Sequence, residues 1–212
     1  MIPFAFNRSG RKTSGYLKIA GEHIPIQSIS SVLVRFRREW WPERGLDTQD
    51  QIFVYHETTA AWFNLLTYLP CPVINRFSLA WWLQDLNYPL LLAKLFSEQL
   101  DIPTVPLEPS LSYGVRLLPT NPDASPNTAS LYLVGKELFP RTDAAKAILP
   151  LLRRKRNALP KWQRNNEISF CRLDFELRPR PLLKYIETFP LFQHETKSVV
   201  KKVVTTLAEM LA

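Results

Sequence analysis

The 212-residue chain contains little cysteine, little glycine and no long apolar run. Two cysteines, Cys71 and Cys171, are too few for a disulfide framework and lack metal-ligand spacing. We expect two buried thiols, with a single bridge as the alternative. No stretch approaches the ~20 apolar residues of a membrane span, and the first apolar run is too short for a secretion signal. The sequence therefore predicts a cytoplasmic protein without a membrane span.

Six glycines stand against eighteen prolines, which indicates many enforced breaks but few turns with positive φ. Hydrophobic residues make up 46% of the chain and aromatic residues 12%, which is typical of a folded globular protein rather than a disordered one. The length is sufficient for one large core or two small ones.

The first half of the chain mixes strand and helix patterns. "GYLKIAGEHIPI" predicts a hairpin that turns at Ala20–Gly21. Further strands are predicted from "SSVLVRFRR", "QIFVYH" and "CPVIN". "ETTAAWFNLLTYL" predicts a helix capped by Thr58 or Thr59, and "NYPLLLAKLFSEQL" predicts a helix with Pro89 in its first turn.

The second half begins with a proline-rich irregular stretch, residues 101–130. After it, "LYLVGKELF" predicts a hairpin around Gly135–Lys136, and "RTDAAKAILPLLRRKR" predicts a helix capped by Thr142. "ISFCRLDFEL" and "LLKYIET" predict two closing strands, and "TKSVVKKVVTTLAEML" predicts a C-terminal amphipathic helix. The order of elements predicts a mixed α/β (α+β) fold.

Positive charge is concentrated in one part of the chain. The net charge is +8, and residues 151–184 hold ten lysines and arginines against three acids, a local excess of +7. The densest stretch is "LLRRKRNALPKWQR", with Trp162 inside it, and its cations are Arg153, Arg154, Lys155, Arg156, Lys161 and Arg164. Such a patch suits a nucleic acid, a phosphate group, an acidic lipid or an acidic peptide. A solvated helix face is the alternative.

Several segments together resemble one family. The order of "GYLKIAGEHIPIQSISSVLVRFRR", "ETTAAWFNLL", "LPCPVINR" and "NYPLLLAKLFSEQLDIPTV" is similar to the front half of ATP-grasp ligases, particularly the microviridin-type peptide macrocyclases and ribosomal-protein glutamate ligases. "LYLVGKELF" and "RLDFEL…LLKYIETFP" resemble the hairpin and closing strands near the nucleotide. The resemblance implies a pre-ATP-grasp-like α/β domain over residues 1–103 and a reduced ATP-grasp-like α+β domain over residues 104–212.

The resemblance also implies where a magnesium site would lie. Asp174 stands where the family has its first metal carboxylate, and Glu187 where it has the glutamate of Glu-x-Asn. The asparagine position holds Phe189, which offers no oxygen, and the position of a helix-opening lysine holds Tyr88. The alternative for Asp174 and Glu187 is ion pairing with a local cation such as Arg172 or Lys184.

The family's phosphate-binding segment is reduced here to "SLSYGVRLLPTNPDASPNTAS", in which Arg116 is the single cation. If activity is retained, Arg116 and Lys136 would contact ATP phosphates and Asp174 and Glu187 would bind Mg²⁺. Otherwise no cofactor is expected. Other chemistry has little support, because the sequence has no glycine-rich phosphate loop and its three histidines stand alone.

Three functions remain as hypotheses. The first is a truncated, degenerate ATP-grasp homologue that binds a peptide or protein without catalysis. Its expected partner-binding face comprises Arg35, Arg37, Arg38, Trp40 and Trp41. The second is a minimal ATP-dependent ligase that forms amide or ester bonds. The third is a basic module that binds nucleic acid or another polyanion through residues 153–164.

Overall fold

A computed structural model describes residues 4–10, 12–34, 47–76, 88–105, 127–188, 190, 192 and 195–212. The chain divides into two compact units, one spanning residues 1–82 with 211–212 and the other residues 83–210. The boundary predicted after residue 103 separates the parts of the chain that resemble two domains of the family. It stays a prediction. Within the described ranges, none of the helices is both long enough and apolar enough to cross a membrane.

The first unit begins with an antiparallel sheet in the order β1–β2–β3. Its strands are β1 (Phe4–Ser9), β2 (Lys12–Ile19) and β3 (Glu22–Pro25). Ala20 and Gly21 have φ of 50° and 90°, the left-handed pair that closes a tight two-residue hairpin. The predicted β2–β3 hairpin is therefore confirmed, whereas β1 was not predicted. One side of the sheet packs on a helix, since the rings of Phe4 and Trp62 lie 4.5 Å apart.

A second, two-stranded sheet pairs β4 (Val32–Leu33) in parallel with β5 (Val73–Ile74). A parallel pair needs a crossover connection, which contains helix α1 (Thr48–Tyr68). The predicted strands around "SSVLV" and "CPVIN" are confirmed. Arg35, Phe36, Arg37, Arg38, Trp40 and Trp41 lie outside the described residues.

Helix α1 corrects two predictions. "QIFVYH" lies inside this helix and is not a strand, and the helix does not begin at Thr58 or Thr59, which are buried in its middle. Its cap is Asp47, whose carboxylate accepts a hydrogen bond from the backbone N–H of Asp50 at 2.8 Å. A short β-branched and aromatic window favours a strand by propensity, but the surrounding helix overrides that preference.

The second unit is built on an antiparallel sheet in the order β7–β6–β8–β9. Its strands are β6 (Thr128–Val134), β7 (Glu137–Pro140), β8 (Phe170–Glu176) and β9 (Leu182–Glu187), all near the predicted positions. Helix α2 (Tyr88–Leu100) leads to the edge of β9, where Leu183 exchanges backbone hydrogen bonds with Pro103 and Val105. The predicted β6–β7 hairpin turns at Gly135–Lys136, as expected.

Three further helices belong to the second unit, although α5 ends one residue beyond it: α3 (Leu149–Arg154), α4 (Leu159–Asn166) and α5 (Lys197–Leu211). The helix predicted from Thr142 onwards is instead two pieces, a 3-10 turn (Ala144–Ala147) and α3. Thr142 does accept the predicted cap bond, from Ala145 N–H at 3.3 Å. Pro150 explains the division, because a proline ring fits the first turn of a new helix better than an interior. The C-terminal helix is confirmed, with Val203 and Leu207 buried.

Gly15 is the tightest point of the first sheet. A Cβ there would lie 2.1 Å from the carbonyl oxygen of Ala5, and the residue has φ of 142°. We expect Gly15→Ala to lower the free energy of unfolding by at least about 2 kcal/mol more than Gly10→Ala. Gly10 is a matched control, because it also has positive φ but has open space around its Cβ position. Urea unfolding followed by circular dichroism checks this, and equal losses in the two variants would contradict it.

Candidate functional site

One face of the four-stranded sheet carries charged side chains. Arg172 and Asp174 are two residues apart on β8 and therefore point to the same side. The register sets Ser130 of β6 opposite Asp174 and Glu187 of β9 opposite Arg172. The other face of β8 is fully buried hydrocarbon and thiol, from Cys171, Leu173 and Phe175. The sheet thus separates an apolar core from a polar face that includes both predicted metal carboxylates.

Asp174 is bound on both carboxylate oxygens. The Ser130 hydroxyl donates to Oδ1 at 2.6 Å. The Arg172 guanidinium donates from Nε to Oδ1 at 3.0 Å and from Nη2 to Oδ2 at 3.0 Å, a two-point contact. The carboxylate side chain is 9% exposed and the guanidinium side chain 14%. The alternative offered by the sequence, an ion pair of Asp174 with Arg172, is therefore present.

Arg172 is the charge around which this face is arranged. Burial acts to lower its pKa, but Asp174 and then Glu187 outweigh burial, so the net pKa is raised. The guanidinium therefore stays positive between two carboxylates. The ladder between β8 and β9 shifts register between Asp174 and Phe175, an irregularity that re-aims side chains locally.

A second ion pair lies on the same sheet. Arg141 and Glu195 are paired, and their side chains are 6% and 2% exposed. The Tyr132 hydroxyl donates to the same Glu195 oxygen at 2.7 Å. Burial, followed by the carboxylate of Glu195, raises the pKa of Tyr132, so its phenol stays protonated. Tyr132 faces Arg172 across the β6–β8 ladder and thus lies between the two ion pairs.

The segment that follows β9 contributes an aromatic side chain to this face. The ring of Phe192 lies 5.6 Å from Tyr132 and 6.1 Å from Phe170, centroid to centroid. Together with Glu195, Phe192 therefore packs against the polar side of β6 and β8.

Lys136, one of the two predicted phosphate-binding residues, is not brought to Asp174. Lys136 is exposed in the turn after Val134, and Val134 pairs with Phe170. Phe170 and Asp174 are four residues apart on one strand, about 13 Å at 3.3 Å per residue. Arg116 and Phe189 lie outside the described residues, and the side chain of Tyr88 is not described.

The contacts of Asp174 oppose magnesium binding on the polar face. Mg²⁺ is bound by oxygens with free lone pairs, usually with water completing an octahedron. Both oxygens of Asp174 are already engaged, and a divalent ion about 4 Å from the guanidinium would meet repulsion on the order of 8 kcal/mol at an effective dielectric of ~20. Over the ranges that the structure describes, no three Asp, Glu, His or Cys residues group as metal ligands.

The predicted anion-binding residues are on the surface of α3, α4 and the turn between them. Arg153, Arg154, Arg156, Lys161 and Arg164 are exposed, whereas Lys155 is half-buried and pairs with Asp101 at 3.4 Å. Trp162 does not join this patch. It is fully buried on the opposite side of α4, with its ring 5.0 Å from that of Phe96 on α2.

Four residues of the polar face were not selected from the sequence: Ser130, Tyr132, Arg141 and Glu195. Period-2 alternation in β6 could have indicated Ser130 and Tyr132, because it sets them on the side of the sheet that carries Asp174. Glu195 and Arg141 are 54 residues apart, and neither has a local motif that would have indicated the pair.

Solved structures with a similar fold are ATP-grasp ligases. The chain matches the macrocyclase MdnC of Microcystis aeruginosa MRC, bound with precursor peptide MdnA, at TM-score 0.65 and 12% identity over 98% of this chain and 86% of that one. It matches a RiPP-associated ATP-grasp ligase of Chryseobacterium gregarium, in complex with ADP and a leader and core peptide, at TM-score 0.58 and 12% identity over 97% and 84%. It matches macrocyclase MdnB of Microcystis aeruginosa MRC at TM-score 0.55 and 15% identity over 98% and 80%.

No protein-family model and no curated protein matches the sequence. The structural likeness confirms the predicted fold, a mixed α/β architecture of the ATP-grasp ligase type. At these identities the likeness shows the fold, and the chemistry depends on the residues of the polar face.

Removing the charge of Arg172 should destabilise the protein. We expect Arg172→Gln to lower the free energy of unfolding by about 3–5 kcal/mol, because Asp174 is then a buried charge without its cation. Adding Asp174→Asn should recover part of that loss, giving a coupling energy of about 1–3 kcal/mol in a double-mutant cycle measured by urea unfolding. Arg172→Lys keeps the charge without the two-point contact, so its free energy of unfolding should lie between those of the parent and of Arg172→Gln. If the losses of the two single variants simply add in the double variant, the ion pair is contradicted.

The two cysteines should differ in reactivity. Burial, with Glu187 and Asp174 nearby, raises the pKa of Cys171, so its thiol stays protonated at pH 8, where a free cysteine is partly ionised. Cys71 is half-buried. We expect one thiol to react with Ellman's reagent in the native protein and the second only in denaturant. In Cys71→Ser the rapid reaction should disappear, and rapid labelling of Cys171 there would refute the argument.

Proposed function

We propose that this chain is a binding protein with an ATP-grasp ligase fold that does not activate carboxylates, and that its ligand is a peptide or a protein. The observation that carries the proposal is the two-point contact of Arg172 with Asp174, at 3.0 Å from both Nε and Nη2. This contact gives an internal cation to the carboxylate that the family resemblance assigns to magnesium.

Two arginines offset most of the negative charge of the polar face and leave one carboxylate charge in excess. Arg172 and Arg141 face three carboxylates, those of Asp174, Glu187 and Glu195. A buried carboxylate that has lost its cation costs several kcal/mol, so the pairs must be retained for the sheet to stay folded. Replacing a guanidinium by a metal ion would require breaking a buried contact first, which opposes magnesium binding.

The sequence near β9 supports the same proposal. Phe189 occupies the position of the family's metal-binding asparagine, and a phenyl ring has no lone pair to donate. The loss of a metal ligand and the loss of a phosphate-binding lysine each remove a few kcal/mol of transition-state stabilisation. Every 1.36 kcal/mol lost lowers the rate by a factor of ten. The combination would leave an enzyme very slow.

The peptide partner is proposed from the structural neighbours. MdnC is bound with a precursor peptide, and the Chryseobacterium gregarium ligase is in complex with a leader and core peptide. A chain that keeps such a fold without the nucleotide chemistry can keep a polypeptide-binding surface, because binding sites are separable from catalytic groups. The surface predicted from Arg35, Arg37, Arg38, Trp40 and Trp41 stays a candidate within this proposal.

Nucleotide titration by calorimetry tests the proposal. We expect ATP or ADP with Mg²⁺ to give no heat of binding and no change in melting temperature. A nucleotide that binds the native state would raise the melting temperature. The Chryseobacterium gregarium ligase, which is in complex with ADP, serves as the positive control for sensitivity. Magnesium-dependent nucleotide binding that Glu187→Gln abolishes would overturn the proposal in favour of a minimal ATP-dependent ligase.

A further inference from the structure

A strongly basic surface lies on α3, α4 and the turn between them. We define the basic surface by its five exposed cations: Arg153, Arg154, Arg156, Lys161 and Arg164. We infer that the basic surface docks an acidic segment of a polypeptide. This inference rests on the proposed function, since it takes the ligand to be a peptide or protein.

The cations of the basic surface lack partners of their own. Within the described ranges, none of the five side chains makes an ion pair or a hydrogen bond, whereas several other surface cations are paired. Lys155, in the same stretch, pairs with Asp101, and the remaining acid of this region is Glu167, exposed at the end of α4. Five unneutralised charges in close proximity repel one another, and an anionic partner would relieve that repulsion.

Two short helices and the turn between them hold these cations within a short stretch of the chain. Lys161 and Arg164 are three residues apart on α4 and share its exposed face, since Trp162 and Gln163 turn inward. Arg153 and Arg154 end α3, and Arg156 follows in a tight turn, with its N–H bonded to the carbonyl of Arg153 at 3.3 Å. With α4 about 12 Å long, the surface extends on the order of 20 Å, the length of about six extended residues.

The composition of the surface favours carboxylates over a nucleic acid. Four of its five cations are arginines, whose planar guanidinium forms two-point contacts with carboxylates as well as phosphates. Binding to single-stranded nucleic acid depends on bases stacking on aromatic rings. Trp162, the aromatic residue between Arg153 and Arg164, is 0% exposed and packs on Phe96 instead. The surface therefore offers charge without a stacking platform.

Fluorescence anisotropy with labelled probes tests the inference. The probes are a peptide with a run of glutamates, the same peptide with glutamines, and a single-stranded oligonucleotide of equal length and charge. The surface variant is R153Q/R154Q/R156Q/K161Q/R164Q. The control variant removes five exposed lysines elsewhere, with the same change in net charge: K12Q/K18Q/K184Q/K201Q/K202Q.

We expect the full chain to bind the glutamate peptide at low salt, with affinity falling as salt screens the contacts. The surface variant should bind at least about tenfold more weakly, a loss of about 1.4 kcal/mol, and the control variant should bind like the parent. Equal weakening in both variants would overturn the inference, because net charge alone would then explain binding. Tighter binding of the oligonucleotide than of the peptide, lost in the surface variant, would overturn it in favour of a nucleic-acid surface.

The outcome is distinguishable from that of the proposed function. The anisotropy experiment contains no nucleotide, and the calorimetric titration contains no peptide. Magnesium-dependent ATP binding together with peptide binding at the basic surface would refute the non-catalytic proposal and leave the docking surface intact. Absence of both would leave the non-catalytic proposal standing and refute the docking surface.

Discussion

The guanidinium of Arg172 is the constraint on which the second unit depends. Two strands meet at this residue, since β8 carries it beside Asp174 and β9 sets Glu187 opposite. Slipping either strand by one residue would turn a charge into the apolar side of the sheet, which would cost several kcal/mol. The ion pair therefore acts with the hydrophobic alternation of β6 and β8 to fix the register, in addition to whatever it contributes to stability.

Under the proposed function, this arrangement accounts for how a ligase fold persists without metal chemistry. The architecture needs a sheet with one apolar and one polar face, and the polar face needs balanced charge. An enzyme can offset this negative charge with bound metal cations, whereas this chain offsets most of it with Arg172 and Arg141, which are covalently part of it. On that proposal, fold and function are separable because either source of positive charge meets the same electrostatic requirement.

Much of the fold was predictable from local pattern, but its long-range contacts were not. The hairpin at Ala20–Gly21, the strands β5, β6, β8 and β9 and the helices α2 and α5 followed from turn residues and periodicity. The strand prediction for "QIFVYH" failed because six residues cannot distinguish a strand from part of a helix of 21 residues. In the site, Arg172 beside Asp174 was visible as an alternating pair, but Glu195 reaches Tyr132 across 63 residues of sequence, a contact that only folding creates.

Positive charge in residues 151–184 serves two different physical purposes. Arg172 is buried and neutralised by its neighbours, and Lys155 and Arg178 are paired with Asp101 and Glu176, so these cations add little to the field outside the protein. The basic surface is exposed and has no ion-pair partner among the residues that the structure describes, and it therefore generates most of the local field that a partner would meet. The same local excess of +7 in the sequence thus separates, once the chain is folded, into an internal part that holds the sheet and an external part that is available for binding.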